Sequence, residues 1–125
     1  MVFFDCYRHL AVQEAMWKIL PDARFVADPV QGSNHNRGVA IDVTLADQAG
    51  RQLLMPTAFD DFTTRASHKY TCLPSHAQAC KNRDLLKTLL ESVGFIAYED
   101  EWWHYQLPNS RDYPVLKNAT GREKQ

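Results

Sequence analysis

The chain has 125 residues, of which 45% are hydrophobic and 23% charged, and its formal net charge is -1. That length suits one domain with one core, expected to cover residues 1–125. The nearly balanced charge gives no electrostatic basis for a nucleic-acid or anionic-membrane partner, and no apolar run is long enough to span a bilayer.

Met1 to Asp5 lacks the basic start and extended apolar stretch of a secretory signal. The cytoplasm is therefore the expected compartment, with the periplasm as the alternative. Val2-Phe3-Phe4 reads as a short buried strand. Val12, Ala15, Met16, Ile19 and Leu20 recur at helical spacing, which predicts a helix with that apolar face, ended by Pro21. Residues 28–37 are rich in Asp, Pro, Gly, Ser and Asn and read as a loop. From Val39 to Leu45 the pattern alternates, with Ala40, Asp42 and Thr44 on one side and Val39, Ile41, Val43 and Leu45 on the other. That is a strand with one apolar and one polar face. Asp47 to Gly50 is a turn, and Arg51 to Met55 reads as the returning strand.

Residues 56–80 have no period and read as a long loop, a length that usually serves function. Asn82 is the expected cap of a second helix, with Leu85, Leu86, Leu89, Leu90 and Val93 as its apolar stripe and Gly94 as its terminator. Phe95–Tyr98 and Trp102–Gln106 read as a hairpin joined through Glu99 and Asp100. From Pro108 the tail is polar and is expected to fray after Leu116. His9 reads as a surface residue, and His68 and His76, in the long loop, as solvated or packed behind the site. One of Trp102 and Trp103 is expected in the core and the other at a pocket wall. Cys6, Cys72 and Cys80 cannot all pair and form no C-x-x-C motif, so reduced thiols are expected; a Cys72–Cys80 bridge is the alternative in an oxidising compartment.

Two segments carry chemistry. Ser33-Asn34-His35-Asn36-Arg37-Gly38-Val39-Ala40-Ile41-Asp42 is followed much later by Glu101-Trp102-Trp103-His104. Together they supply two imidazoles, one carboxylate ligand and one spare carboxylate. A catalytic zinc takes three N/O ligands and keeps one position for water, whose proton the spare carboxylate can accept. A carboxylate at Asp42, inside an apolar strand, needs a partner or a metal. In a regular strand Glu101 points away from the face of His104, so a strand start or a bulge is required there.

These segments resemble the S-x-H-x-x-G-x-A-x-D and E-x-W-H motifs of the D-alanyl-D-alanine metallopeptidases, and in particular the VanX-type dipeptidases. The resemblance extends to Asp5-Cys6-Tyr7-Arg8, Gly32-Ser33, Phe59-Asp60, Arg65-Ala66-Ser67-His68 and Glu101 to Tyr105. It implies an α+β fold of the hedgehog-like type, with a small antiparallel sheet carrying one zinc ion and flanked by helices. It implies His35, Asp42 and His104 as zinc ligands, Glu101 as general base and acid, and Arg8 as the oxyanion-stabilising cation. Ser33 and Asp60 match positions that bind the free amine of a small D-amino-acid dipeptide. The implied reaction is hydrolysis of D-Ala-D-Ala to two D-alanines. The alternatives are a D,D- or L,D-carboxypeptidase or endopeptidase on peptidoglycan peptides, and a zinc-binding module without turnover. His9 stands where the family often has proline, Pro56 where it often has glycine, and the family's usual chain is longer at its N-terminus. A wider pocket, or a homo-oligomer in which a second subunit fills the gap, would accommodate that difference.

Overall fold

The structure, a computed structural model, describes residues 1–116. Its strands are β1 (Val2–Asp5), β2 (Ala40–Thr44), β3 (Ile96–Ala97) and β4 (His104–Gln106), and its α-helices are α1 (Leu10–Ile19) and α2 (Ala77–Ser92). Short 3-10 turns occupy Thr64–Ala66, Pro74–His76 and Ser110–Asp112. The strands form one four-stranded sheet in the order β1-β2-β4-β3, and β3 pairs antiparallel with β4, Ile96 opposite Gln106. Two helices with a small antiparallel sheet make this an α+β fold, as the resemblance implied. The chain divides into two compact units, one of Met1–Phe4 with Ile41–Pro108, the other of Asp5–Ala40 with Asn109 onward.

The first unit contains the core. Val43, Leu86 and Tyr105 are completely buried, and Leu90, Trp102 and Trp103 nearly so. Both tryptophans are therefore core residues, packed edge to face with ring centroids 5.3 Å apart. Trp102 spends its one donor on Thr57, Nε1 to Oγ1 at 2.9 Å. Phe59 stacks on Phe4 and meets Trp103 edge-on, so the loop after residue 56 is held by aromatic packing.

α2 begins five residues before the expected cap. Pro74 starts the 3-10 turn that leads into it, and Asn82 lies inside the helix. The Asn82 side chain is buried, donating to the carbonyl of Leu54 at 2.8 Å and accepting from Gln78. A polar residue that bonds a neighbouring segment has the same sequence signature as a cap. Of the predicted stripe, Leu86 and Leu90 are buried, whereas Leu85, Leu89 and Val93 are exposed. The helix ends as expected: Gly94 has φ +96°, its N–H bonds to Glu91 O and that of Phe95 to Leu90 O.

The loop of residues 56–80 is tied at several points. Arg83, 6% exposed, donates to the carbonyls of Tyr70 at 2.6 Å and Ser67 at 3.4 Å. Cys72 and Cys80 form a disulfide with Cα atoms 6.0 Å apart, which overturns the expectation of reduced thiols for this pair. The returning strand expected at 51–55 is reduced to one bridge, Ala46 to Gln52. His68 is not solvated: neither ring nitrogen has a hydrogen-bond partner in the structure, and the ring meets Tyr105 edge-on.

In the second unit, His9 caps α1, its Nδ1 accepting from Ala11 N at 3.1 Å. The buried face of α1 differs from the predicted one. Val12 and Ile19 are exposed, and the inward positions are Gln13, Met16, Trp17 and Leu20, also spaced i, i+3, i+4, i+7. Gln13 is fully buried because both ends of its amide are satisfied: Oε1 accepts from Arg8 at 2.6 Å and Nε2 donates to Ala27 O at 2.8 Å. A hydrogen-bonded glutamine thus occupies the centre of a face that an apolar count cannot find. The segment before residue 117 is fastened in this unit by Leu116 N to Asn36 O and by Arg37 to Tyr113 O. The expected fraying after Leu116 falls outside the described residues.

Candidate metal centre and active site

The Ser33–Asp42 segment builds its loop from its own polar residues. Asn36 Oδ1 accepts from Ser33 N at 2.8 Å, and Asn36 N donates to Ser33 Oγ. Gly38, at φ +70°, lets the chain leave the turn toward β2. His35 is 3% exposed, and its Nδ1 lies 2.8 Å from the carbonyl of Cys6. A carbonyl can only accept, so Nδ1 carries the proton and Nε2 is the nitrogen with the lone pair, the tautomer a metal-ligating imidazole adopts. Cys6 contributes its backbone here, a role that no side-chain pattern reveals.

Arg8 precedes α1. Its Nε bonds Asp5 Oδ2 at 3.0 Å, a terminal nitrogen pairs with the same carboxylate, and the other reaches Gln13 Oε1. Its own backbone N–H donates to His35 O, and its carbonyl accepts from Asn36 Nδ2 at 2.6 Å. Asp5 and Gln13 therefore orient the guanidinium, although only Arg8 was singled out by sequence.

In the first unit, β2 carries Asp42, 3% exposed, and β4 begins at His104. His104 Nδ1 lies 3.1 Å from Asp42 Oδ1, and Nε2 lies 3.1 Å from Gln106 Oε1. With Nε2 protonated toward Gln106, Nδ1 offers its lone pair beside the Asp42 carboxylate; with Nδ1 protonated, it donates to Asp42 directly. In the first tautomer the two atoms stand at a spacing that suits a shared cation. This arrangement fits a metal ion, and Gln106 serves as the outer partner that fixes the ring. Asp42 and His104 here, and His35 in the second unit, are imidazole and carboxylate donors of the kind that suits zinc among other divalent metals.

Glu101 lies in a turn rather than in a strand: its N–H bonds Tyr98 O, and His104 N bonds Glu101 O. The turn supplies the break in strand alternation that Glu101 requires and brings its Oε1 to 3.8 Å from His104 Nδ1. Tyr98 packs edge-on against His104, and its hydroxyl pKa is raised by burial and by the Asp100 and Glu101 charges. Asp60 sits on an exposed turn with φ +62°, a conformation that short polar side chains tolerate. Ser33 is buried in the His35 loop.

A family model described as D-ala-D-ala dipeptidase matches residues 1–118, and the chain belongs to that family of peptidases. Among curated proteins it is 40% identical over 116 residues to a D-alanyl-D-alanine dipeptidase of Escherichia coli, covering 93% of this chain and 59% of that one. It is 39% identical over 90 residues to a D-alanyl-D-alanine dipeptidase of Enterococcus faecium, covering 66% and 44%. A third, from Synechocystis, is 32% identical over 87 residues, covering 62% and 35%. The chain thus spans about three fifths or less of the length of these relatives. No described helix is long and apolar enough to cross a membrane.

Proposed function

We propose that the chain carries the catalytic residues of a zinc D-alanyl-D-alanine dipeptidase, with a small D-amino-acid dipeptide as substrate. The observation that carries this reading is the pairing of Asp42 Oδ1 with His104 Nδ1, with the Glu101 carboxylate beside the same imidazole. His35, Asp42 and His104 would hold the ion. When bound, zinc lowers the pKa of its water and polarises a carbonyl. Glu101 takes the proton of the attacking water and returns it to the leaving amine. Arg8, oriented by Asp5 and Gln13, supplies positive charge to the developing oxyanion. Ser33 and Asp60 receive the substrate ammonium, Asp60 as its counter-charge and Ser33 as an acceptor. The products are two D-alanines. The reading needs no nucleic acid or membrane. The Cys72–Cys80 disulfide favours the oxidising periplasm over the cytoplasm as its compartment.

The test is release of D-alanine from D-Ala-D-Ala and, in parallel, from a cell-wall pentapeptide, with and without a chelator. Chelator-sensitive cleavage of the dipeptide alone supports the dipeptidase; cleavage of the pentapeptide transfers the protein to the carboxypeptidases. Glu101→Gln should retain one zinc per chain and lose about 10²–10⁴ in kcat. Turnover at the wild-type rate in that variant would remove Glu101 from the mechanism.

A further inference from the structure

The first unit contains a cavity of about 420 Å³ lined by Phe4, Thr44, Leu54, Met55, Phe59 and Trp102, among others. That volume lies within the roughly 300–1,000 Å³ range of small-molecule sites and far exceeds what a methyl group fills. Three of its lining residues are close in sequence to residues of the proposed site. Thr44 follows Asp42 by two along β2, so the side chains share a sheet face about 7 Å apart. Phe59 immediately precedes Asp60, and Trp102 immediately follows Glu101. In a bound dipeptide the first residue's α-carbon stands between its ammonium and the scissile carbonyl. The cavity lies on the β2 face that carries Asp42, so a side chain on that α-carbon would find apolar room there.

We infer that the Thr44–Phe59–Trp102 cavity receives the side chain of the first residue of the D,D-dipeptide and takes apolar groups larger than methyl. This rests on the proposed dipeptidase reading. The lining chemistry matches: Phe4, Leu54, Met55 and Phe59 offer apolar surface, and the Trp102 N–H is already satisfied by Thr57. Among the described residues no cation lines the cavity, which disfavours acidic side chains. Leu54 is 57% exposed and stands at the rim, outside the proposed catalytic residues.

The experiment compares zinc-loaded protein on D-Ala-D-Ala, D-Leu-D-Ala and D-Glu-D-Ala, together with the Leu54→Trp variant. It adds calorimetric titration of D-Leu-D-Ala into Glu101→Gln protein, which reports binding without turnover. D-Leu-D-Ala should be cleaved with kcat/KM within about tenfold of D-Ala-D-Ala, and D-Glu-D-Ala at least about a hundredfold less well. Leu54→Trp should lower kcat/KM for D-Leu-D-Ala at least about tenfold, with D-Ala-D-Ala changed less than about twofold. If D-Ala-D-Ala is cleaved while D-Leu-D-Ala neither binds nor reacts, or if Leu54→Trp affects the two equally, the pocket assignment is wrong and the dipeptidase stands. If no dipeptide is cleaved, the dipeptidase reading fails and this assignment fails with it.

Discussion

His104 Nδ1 and Asp42 Oδ1 stand 3.1 Å apart on neighbouring strands, while Gln106 holds the other nitrogen of the same ring. A carboxylate that is 3% exposed needs a donor or a cation against it, and in the proposed site the imidazole and a metal ion together supply this. Zinc should therefore raise the melting temperature, and a chelator should lower it again. At free zinc a hundredfold above Kd the gain is about 2.7 kcal/mol. Asp42→Ala should abolish both the thermal response and stoichiometric zinc in the protein after desalting. An unchanged melting temperature with and without zinc in the wild type would remove the metal from this site.

Gln106 is expected to matter through His104 rather than through substrate. Gln106→Leu removes the acceptor that fixes the ring, and outer partners of this kind are worth about 10–100-fold in metal affinity. Competition with a chromophoric chelator measures this directly. Gln106→Glu, which restores an acceptor, should recover most of the affinity.

Burial lowers the pKa of His68 from 6.5, with the Arg83 charge adding to the effect. Below pH 6.5 the unfolded chain then binds a proton that the folded chain refuses. The contribution of this residue is complete above that pH and is lost as pH falls from there toward the lowered native value. Denaturant unfolding at pH 7 and pH 5 should show the loss in the wild type. In His68→Phe the difference between the two pH values should be smaller. An identical pH slope in both proteins would mean that His68 titrates normally.

The Cys72–Cys80 bridge closes a short loop, and in the chain-entropy model its removal costs about 2–3 kcal/mol. Reduction, or replacement of both cysteines by serine, should shift the urea midpoint downward with little change in slope. Arg83→Met should act on the same segment, because it leaves the Tyr70 carbonyl without its donor; about 2–3 kcal/mol is expected. The two changes share the loop and should not be additive in a double-mutant cycle.

Gly32 has φ +76°, and a β-carbon there would lie 2.5 Å from the Val115 side chain. Gly32→Ala should cost about 1–3 kcal/mol from the backbone conformation alone. Adding Val115→Ala should recover the steric part and leave the conformational part, which separates the two on melting curves.

The sequence alone determined which atoms are available for chemistry and where the chain turns. Two imidazoles and two carboxylates stood out in two motifs and Arg8 only through the family resemblance, while the alternation of β2 and the Gly94 terminus of α2 were legible because periodicity and left-handed glycines are local properties. Tertiary structure decided what local patterns cannot encode. It buried Gln13 in place of Val12 and Ile19, because a glutamine with both amide ends bonded is as well placed inside as a leucine. It drew Asn82 into the helix to reach Leu54 O, joined Cys72 to Cys80, and enclosed His68. It also set the partners of the proposed catalytic groups: Asp5 and Gln13 for Arg8, Gln106 for His104 and the Cys6 carbonyl for His35. Hydrogen bonds between residues distant in sequence leave no periodic trace, and a backbone carbonyl leaves none at all.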